Sequence, residues 1–140
     1  MQYPNFIFLI LILNLLKADG FDTLTYYAKF DVAVQTYKEQ RYRLSEKYFS
    51  SILITDKDYR DPASQLMLAK SQYQQNKWRD AVRSAKSVLS NFPGSPYQNH
   101  TLLLMGDIAL SQAKNSEAFQ NYLSIRSTAK DSLQLSDIDQ

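Results

Sequence analysis

The chain has 140 residues, which suits a single domain. It contains no cysteine, so disulfides, zinc clusters built on cysteine and thiol nucleophiles are excluded. Its 16 basic and 14 acidic residues leave a net charge of +2, which is too small and too mixed to indicate a nucleic-acid partner. With only three glycines and four prolines, long loops and hairpins are not expected.

Residues 1–20 have the pattern of a signal peptide. Phe6–Leu16 is almost wholly apolar; it is shorter than the about 20 residues that span a bilayer but fits the apolar region of a signal peptide. Ala18 and Gly20 are the small residues expected before a cut after Gly20, although no Lys or Arg precedes the run. We expect export to the periplasm or cell envelope without a lipid anchor or a membrane span after cleavage. An uncleaved anchor and a buried first helix remain alternatives.

Six amphipathic helices are predicted after this segment, because apolar residues recur there at helical spacing. They cover about 24–40, 43–55, 61–75, 79–91, 96–112 and 116–129. Asp61-Pro62 and Ser95-Pro96 each place a proline in the first helical turn after a polar cap. Pro93-Gly94 ends the fourth helix, because proline cannot continue the helical hydrogen bonds.

The helices form three copies of one module. Small residues recur at intervals of about 36 residues in the first helix of each copy, and again twelve residues later in the second helix. The first set is Ala33, Ala69 and Gly106; the second is Ser45, Ala81 and Ala118. Aromatic or apolar residues follow each small residue at matching positions. An unrelated helical bundle would show apolar stripes but would not require this repeated spacing.

This pattern resembles the tetratricopeptide repeat (TPR), in which small residues twelve apart lie where two antiparallel helices cross. The resemblance implies an all-α, right-handed TPR solenoid of three antiparallel helix pairs. The implied TPR domain covers 21–132, with repeats at about 26–61, 62–98 and 99–132. Residues 133–140 are either a tail or the start of a further helix.

The connection between the second and third repeats resembles that of a subgroup of TPR proteins. Phe92–Tyr97 reads Phe-Pro-Gly-Ser-Pro-Tyr, which is similar to a turn in bacterial envelope TPR proteins. Two such families are the TPR lipoprotein of the outer-membrane barrel-assembly machinery and the periplasmic coordinator of the Tol–Pal system. The absence of cysteine means that the acylation of the first family is not expected here.

The TPR resemblance also implies a concave groove lined by the first helix of each repeat, which would bind an amphipathic helix or an extended peptide. An alternative is that several of these side chains pack against a neighbouring helix. The predicted groove residues are Tyr27, Phe30, Val34, Tyr37, Leu66, Lys70, Tyr73, Leu103, Asp107 and Leu110.

No motif for catalysis, cofactor binding or metal binding is found. His100 is the only histidine, and no phosphate-binding glycine loop occurs among three glycines. We therefore expect a non-catalytic, exported protein-interaction module, such as a scaffold in envelope assembly or maintenance, with self-association as one way of filling the groove. The alternative is the N-terminal TPR region of a longer periplasmic enzyme or ligand-binding receptor.

Overall fold

The computed structural model describes residues 20–55 and 61–136, with side chains described as far as residue 127. The predicted signal peptide therefore lies, apart from Gly20, outside the described residues. Within them, the chain forms six α-helices and no strand. The helices are α1 (Tyr26–Lys38), α2 (Tyr42–Thr55), α3 (Pro62–Gln74), α4 (Trp78–Asn91), α5 (Gln98–Ser111) and α6 (Asn115–Ser136).

Consecutive helices pack against one another as three pairs, α1 with α2, α3 with α4 and α5 with α6. We call these pairs repeats 1, 2 and 3. Each pair crosses at the small residues that the sequence predicted, and all of these residues are buried. Ser45, the one polar member, is fully buried and its hydroxyl donates to the Ala33 carbonyl at 3.2 Å. The buried hydroxyl of Ser45 therefore has a hydrogen-bond partner on the paired helix.

Gly106 shows how closely the helices of repeat 3 approach. A Cβ at this position would overlap the ring of Tyr122 on α6. Ala33, Ala69 and Ala81 at the corresponding crossings have no exposed surface at all. The close crossing confirms the predicted solenoid architecture, since a larger side chain would separate the paired helices.

The turn within each repeat has the same backbone geometry. Gln40, Asn76 and Ala113 occupy the same repeat position and have φ values of 61°, 58° and 58°, in the left-handed region. The next amide in each turn then bonds back to the helix that has just ended. These bonds are Arg41 N to Thr36 O, Lys77 N to Gln72 O and Lys114 N to Ala109 O. This pattern is the Schellman motif, and none of the three turns uses the glycine that the motif favours.

Two apolar clusters form the core. The first contains Phe21 and residues of α1, α2 and α3, and the second contains residues of α3, α4 and α5. Helix α3 contributes Leu68 to the first cluster and Leu66 to the second. Phe21 is buried and stacks on Tyr48 at 4.2 Å between ring centroids. Among the described residues, the first member of the core is therefore the first residue after the predicted cleavage point.

Of the two predicted proline-containing helix starts, one is confirmed and one is wrong. Asp61 caps α3 as predicted, because its Oδ1 accepts from the Ala63 amide at 2.9 Å and Pro62 is the first helical residue. The prediction for Pro96 was wrong. Helix α5 begins at Gln98, and the Gln98 amide instead donates to the Ser95 carbonyl at 3.0 Å in a turn before the helix. The Ser95 hydroxyl caps nothing and has no partner in the described part of the chain.

The ends of α4 and α6 also differ. Helix α4 ends at Asn91, and Gly94 adopts a φ of 76°, as the predicted Pro93-Gly94 stop requires. Helix α6 runs beyond its predicted end to Ser136, because residues 130–136 contain no glycine or proline that would end it. None of the helices among the described residues is both long and apolar enough to cross a membrane.

The turn of repeat 3 gives a stability prediction. Ala113 has a Cβ that opposes its φ of 58°, and left-handed backbone costs an L-residue about 1–2 kcal/mol. Ala113→Gly should therefore raise the free energy of unfolding by about 0.5–1 kcal/mol, after the larger chain entropy of unfolded glycine is offset. Denaturant unfolding would measure it. Ala28→Gly, within α1, is the control and should destabilise; equal losses from both variants would contradict the prediction.

Candidate functional site

The predicted groove residues on α1 differ in exposure. Tyr27 is 71% exposed, which makes it the most exposed large apolar side chain of the described part of the chain. Phe30 and Val34 are half-buried and pack against the first core cluster, where Phe30 meets the edge of Phe49 at 5.8 Å. Tyr37 is also half-buried. Helix α1 thus presents one largely exposed aromatic ring, Tyr27, which contacts Tyr26 edge-on, beside three side chains that are partly engaged in packing.

The predicted groove residues on α3 are mostly engaged. Leu66 is only 3% exposed and belongs to the second core cluster. Tyr73 is half-buried against the same cluster, and its hydroxyl lies 3.3 Å from the Ser111 Oγ of α5. Lys70 is half-buried on the same helix. The pairing of Tyr73 with Ser111 links repeat 2 directly to repeat 3.

Helix α5 presents two exposed leucines of the predicted set. Leu103 and Leu110 are 48% and 55% exposed, and Asp107 lies between them along the helix. The Tyr122 hydroxyl donates to Asp107 Oδ1 at 2.8 Å. Desolvation raises the pKa of Tyr122, and the hydrogen bond to Asp107 and its negative charge raise it further. The sequence analysis missed Ser111 and Tyr122 as neighbours of this surface, although Ser111 lies one helical turn after Asp107.

A second tyrosine–aspartate pair joins repeat 1 to repeat 2. The Tyr26 hydroxyl donates to Asp61 Oδ2 at 2.6 Å, while Asp61 Oδ1 caps α3. Burial, followed by the hydrogen bond to Asp61, raises the pKa of Tyr26 to about 12. One carboxylate therefore fixes both the start of α3 and its position against α1.

A polar network connects α2 to repeat 2, at what we call the first junction. Glu46 on α2 accepts from Lys77 Nζ at 2.6 Å, from Gln75 Nε2 at 2.8 Å and from Gln72 Nε2 at 3.4 Å. Burial alone would raise the pKa of Glu46, but the hydrogen bonds from Lys77 and Gln75 and the charge of Lys77 lower it overall. This carboxylate is thus held ionised by groups of the following repeat.

The chemistry of a metal centre is not found in the described part of the chain, where no three His, Cys, Asp or Glu side chains come together. The predicted groove side chains on α1, α3 and α5 are instead mainly aromatic and aliphatic, with isolated charges between them. Such a surface can bind another chain through apolar anchors.

Comparison with known proteins gives one family match. The sequence model of the tetratricopeptide repeat matches residues 63–95, which cover α3, α4 and the turn after α4. The fold is an all-α tetratricopeptide-repeat solenoid. No curated protein matches the chain.

The matched repeat is the one whose aromatic and small residues fit the pattern most fully. Repeats of this type stack into solenoids whose concave surfaces bind other proteins. The match therefore indicates a protein–protein interaction module. Its flanking helix pairs continue the same geometry, since both share the left-handed turn and the close crossing of repeat 2.

The first junction gives a pH-dependent prediction. Glu46→Gln should lower the free energy of unfolding by about 1 kcal/mol near neutral pH, because Lys77 and Gln75 lose an ionised acceptor. The folded chain lowers the pKa of Glu46 from its ordinary value of 4.5. Its stabilising effect is therefore present above that value and is lost as the pH falls through the lowered pKa.

Denaturant unfolding at about pH 7 and about pH 3 would measure this difference. The exposed Glu117→Gln on α6 is the matched control and should change stability by less than about 0.5 kcal/mol at either pH. A Glu46→Gln deficit that is equally large at both pH values would show that the lost interaction is not with the ionised carboxylate.

Proposed function

We propose that this chain binds a protein partner in the concave groove formed by α1, α3 and α5. The observation that carries the proposal is the exposure of large apolar side chains on the inner helices, at Tyr27, Leu103 and Leu110. Large apolar side chains exposed along one series of helices can mark a surface that another protein covers. A partner that covers them would be an amphipathic helix or an extended segment with apolar anchors.

The charges within this surface favour a partner with some polar character. Lys70 on α3 and Asp107 on α5 occupy the same repeat position in successive repeats, and Val34 occupies it in α1. One positive and one negative group would orient a partner rather than select for one net charge. The TPR domains that bind chaperones use asparagine at this position, so a carboxylate clamp of that type is not proposed.

Exposed side chains give the sharpest test. Tyr73→Ala would remove packing in the second core cluster and the contact with Ser111, so it would mix stability with binding. The double variant Leu103→Ala with Leu110→Ala removes two exposed anchors instead. We expect it to weaken binding of a partner captured from envelope extracts by at least about tenfold, because each truncated leucine loses carbon atoms that the partner would bury, at about 0.8 kcal/mol for each methylene.

Two controls accompany this measurement. Ile54→Ala truncates an apolar side chain that is 68% exposed on α2, away from the inner helices. Lys47→Ala removes an exposed charge from α2. Neither should change the affinity by more than about twofold. If Lys47→Ala weakens binding more than the α5 double variant does, the partner binds the outer helices and the groove proposal fails.

The proposal extends to an exported protein that acts as a scaffold in cell-envelope assembly or maintenance. What supports export is the apolar run Phe6–Leu16 followed by Ala18 and Gly20. The burial of Phe21 adds support, because a cut after Gly20 would leave both described core clusters in the mature chain. The envelope role is supported by the sequence Phe92–Tyr97, which resembles the turn of bacterial envelope TPR proteins.

Export gives a direct prediction. Sequencing the mature protein from its N-terminus should yield Phe21 as the first residue, because signal peptidases cut after small residues that follow a short apolar run. Cell fractionation should recover the same species without its first twenty residues. Recovery of the chain with Met1 still attached, in the integral membrane fraction, would contradict export by cleavage.

A further inference from the structure

A cleft of about 880 Å³ lies between α4 and the turn that joins α5 to α6, with Glu117 of α6 at its edge. We call this place the second junction. Trp78 and Val82 of α4 line it together with Ile108 of α5, so it has an apolar part. Five of its lining side chains are basic and two are acidic. The cleft is therefore positively charged and lies apart from the groove of the inner helices.

Most of its positive charge is not neutralised within the chain. Arg83 pairs with Asp80 at 3.3 Å, and Lys77 is held by Glu46 of the first junction. The other three cations of the cleft are exposed and form no ion pair with any residue that the structure describes; they are Arg79, Lys86 and Lys114. A cleft with unpaired cations attracts carboxylates.

The repeat provides an internal comparison for this site. Gln112 and Lys114 occupy the repeat positions of Gln75 and Lys77, which hold the Glu46 carboxylate at the first junction. Both line the second junction. The position that corresponds to Glu46 is Val82. The second junction thus keeps two of the carboxylate's donors but lacks the carboxylate.

We propose that the second junction binds an acidic peptide segment of a partner protein. A glutamate or aspartate of that segment takes the place between Gln112 and Lys114 that Glu46 has at the first junction. An adjacent apolar residue packs on Trp78 and Val82, and further carboxylates meet Arg79 and Lys86. The apolar part of the cleft favours a peptide over a small inorganic anion, which has no group to place there. This inference does not rest on the groove of the inner helices.

The single tryptophan of the chain makes the site directly observable, since Trp78 lines the cleft. The probe is a short synthetic peptide of glutamates around a central leucine, titrated into the chain at low salt. A matched peptide has glutamine in place of each glutamate, and inorganic phosphate forms a third arm. We expect a saturable change of Trp78 fluorescence with the glutamate peptide, weakening as salt is added. The glutamine peptide and phosphate should give none at the same concentration.

Three variants locate the binding. Lys114→Glu reverses an exposed charge of the cleft and should weaken binding of the glutamate peptide by at least about tenfold. Lys47→Glu reverses a charge that is also exposed, on α2 outside the cleft, and should change binding of the glutamate peptide by less than about twofold. Val82→Glu introduces the carboxylate that the first junction has, so it should compete with the peptide and also weaken binding by at least about tenfold.

Each other outcome overturns the proposal. Equal responses to the glutamate and glutamine peptides would show that carboxylates are not recognised. Displacement of the peptide by phosphate at equal concentration would show a simple anion site. Equal effects of Lys114→Glu and Lys47→Glu would show unspecific attraction to the whole basic surface. Circular dichroism on every variant excludes unfolding as the cause, and the exposed Lys114→Gln provides a neutral substitution if the charge reversal fails to fold.

Discussion

The close crossing of two helices within each repeat is the constraint on which the rest of the structure depends. Ala81 and its equivalents allow the paired helices to approach without an intervening side chain. Once the two helices of a pair are fixed, the next repeat can only bury apolar surface by stacking against both. Helix α3 shows this stacking, since its Leu68 lies in the first core cluster and its Leu66 in the second. The solenoid is thus a consequence of small residues at two positions and apolar residues around them.

The sequence predicted what depends on this periodicity and missed what depends on contacts between repeats. The six helices and the buried crossings followed from residue spacing, and the cap at Asp61 followed from local chemistry. The start of α5 did not, because proline is compatible with both a first helical turn and the turn that precedes Gln98. The burial of Leu66 remained one alternative, since it depends on packing against α4 and α5, which the spacing within α3 does not show. Which predicted groove residues remain exposed is therefore a property of stacking.

The repeats share one backbone geometry but carry different side chains, so equivalent positions can have different roles. Gln40, Asn76 and Ala113 share one backbone conformation although only asparagine is well suited to it. The stacking of the repeats evidently outweighs the local cost of the left-handed backbone, of about 1 kcal/mol, at the other two positions. Because the backbone is held in this way, side chains at one repeat position can change from structural to exposed without moving the neighbouring helices. Tyr73 and Leu110 show this, since the first is half-buried under α5 and the second is 55% exposed.

The two junctions between repeats likewise share repeat positions but differ in the charges that occupy them. At the first junction, Glu46 neutralises Lys77 and satisfies two glutamine side chains, so the contact is complete within the chain. At the second, Val82 replaces the carboxylate while Gln112 and Lys114 remain. Replacing a charge by an apolar group is tolerated here because Lys114 is exposed and stays hydrated, whereas a buried lysine would be left unpaired at high cost. The substitution therefore exchanges an internal ion pair for a hydrated cation beside an apolar surface, which is the combination that an acidic segment with an apolar anchor complements.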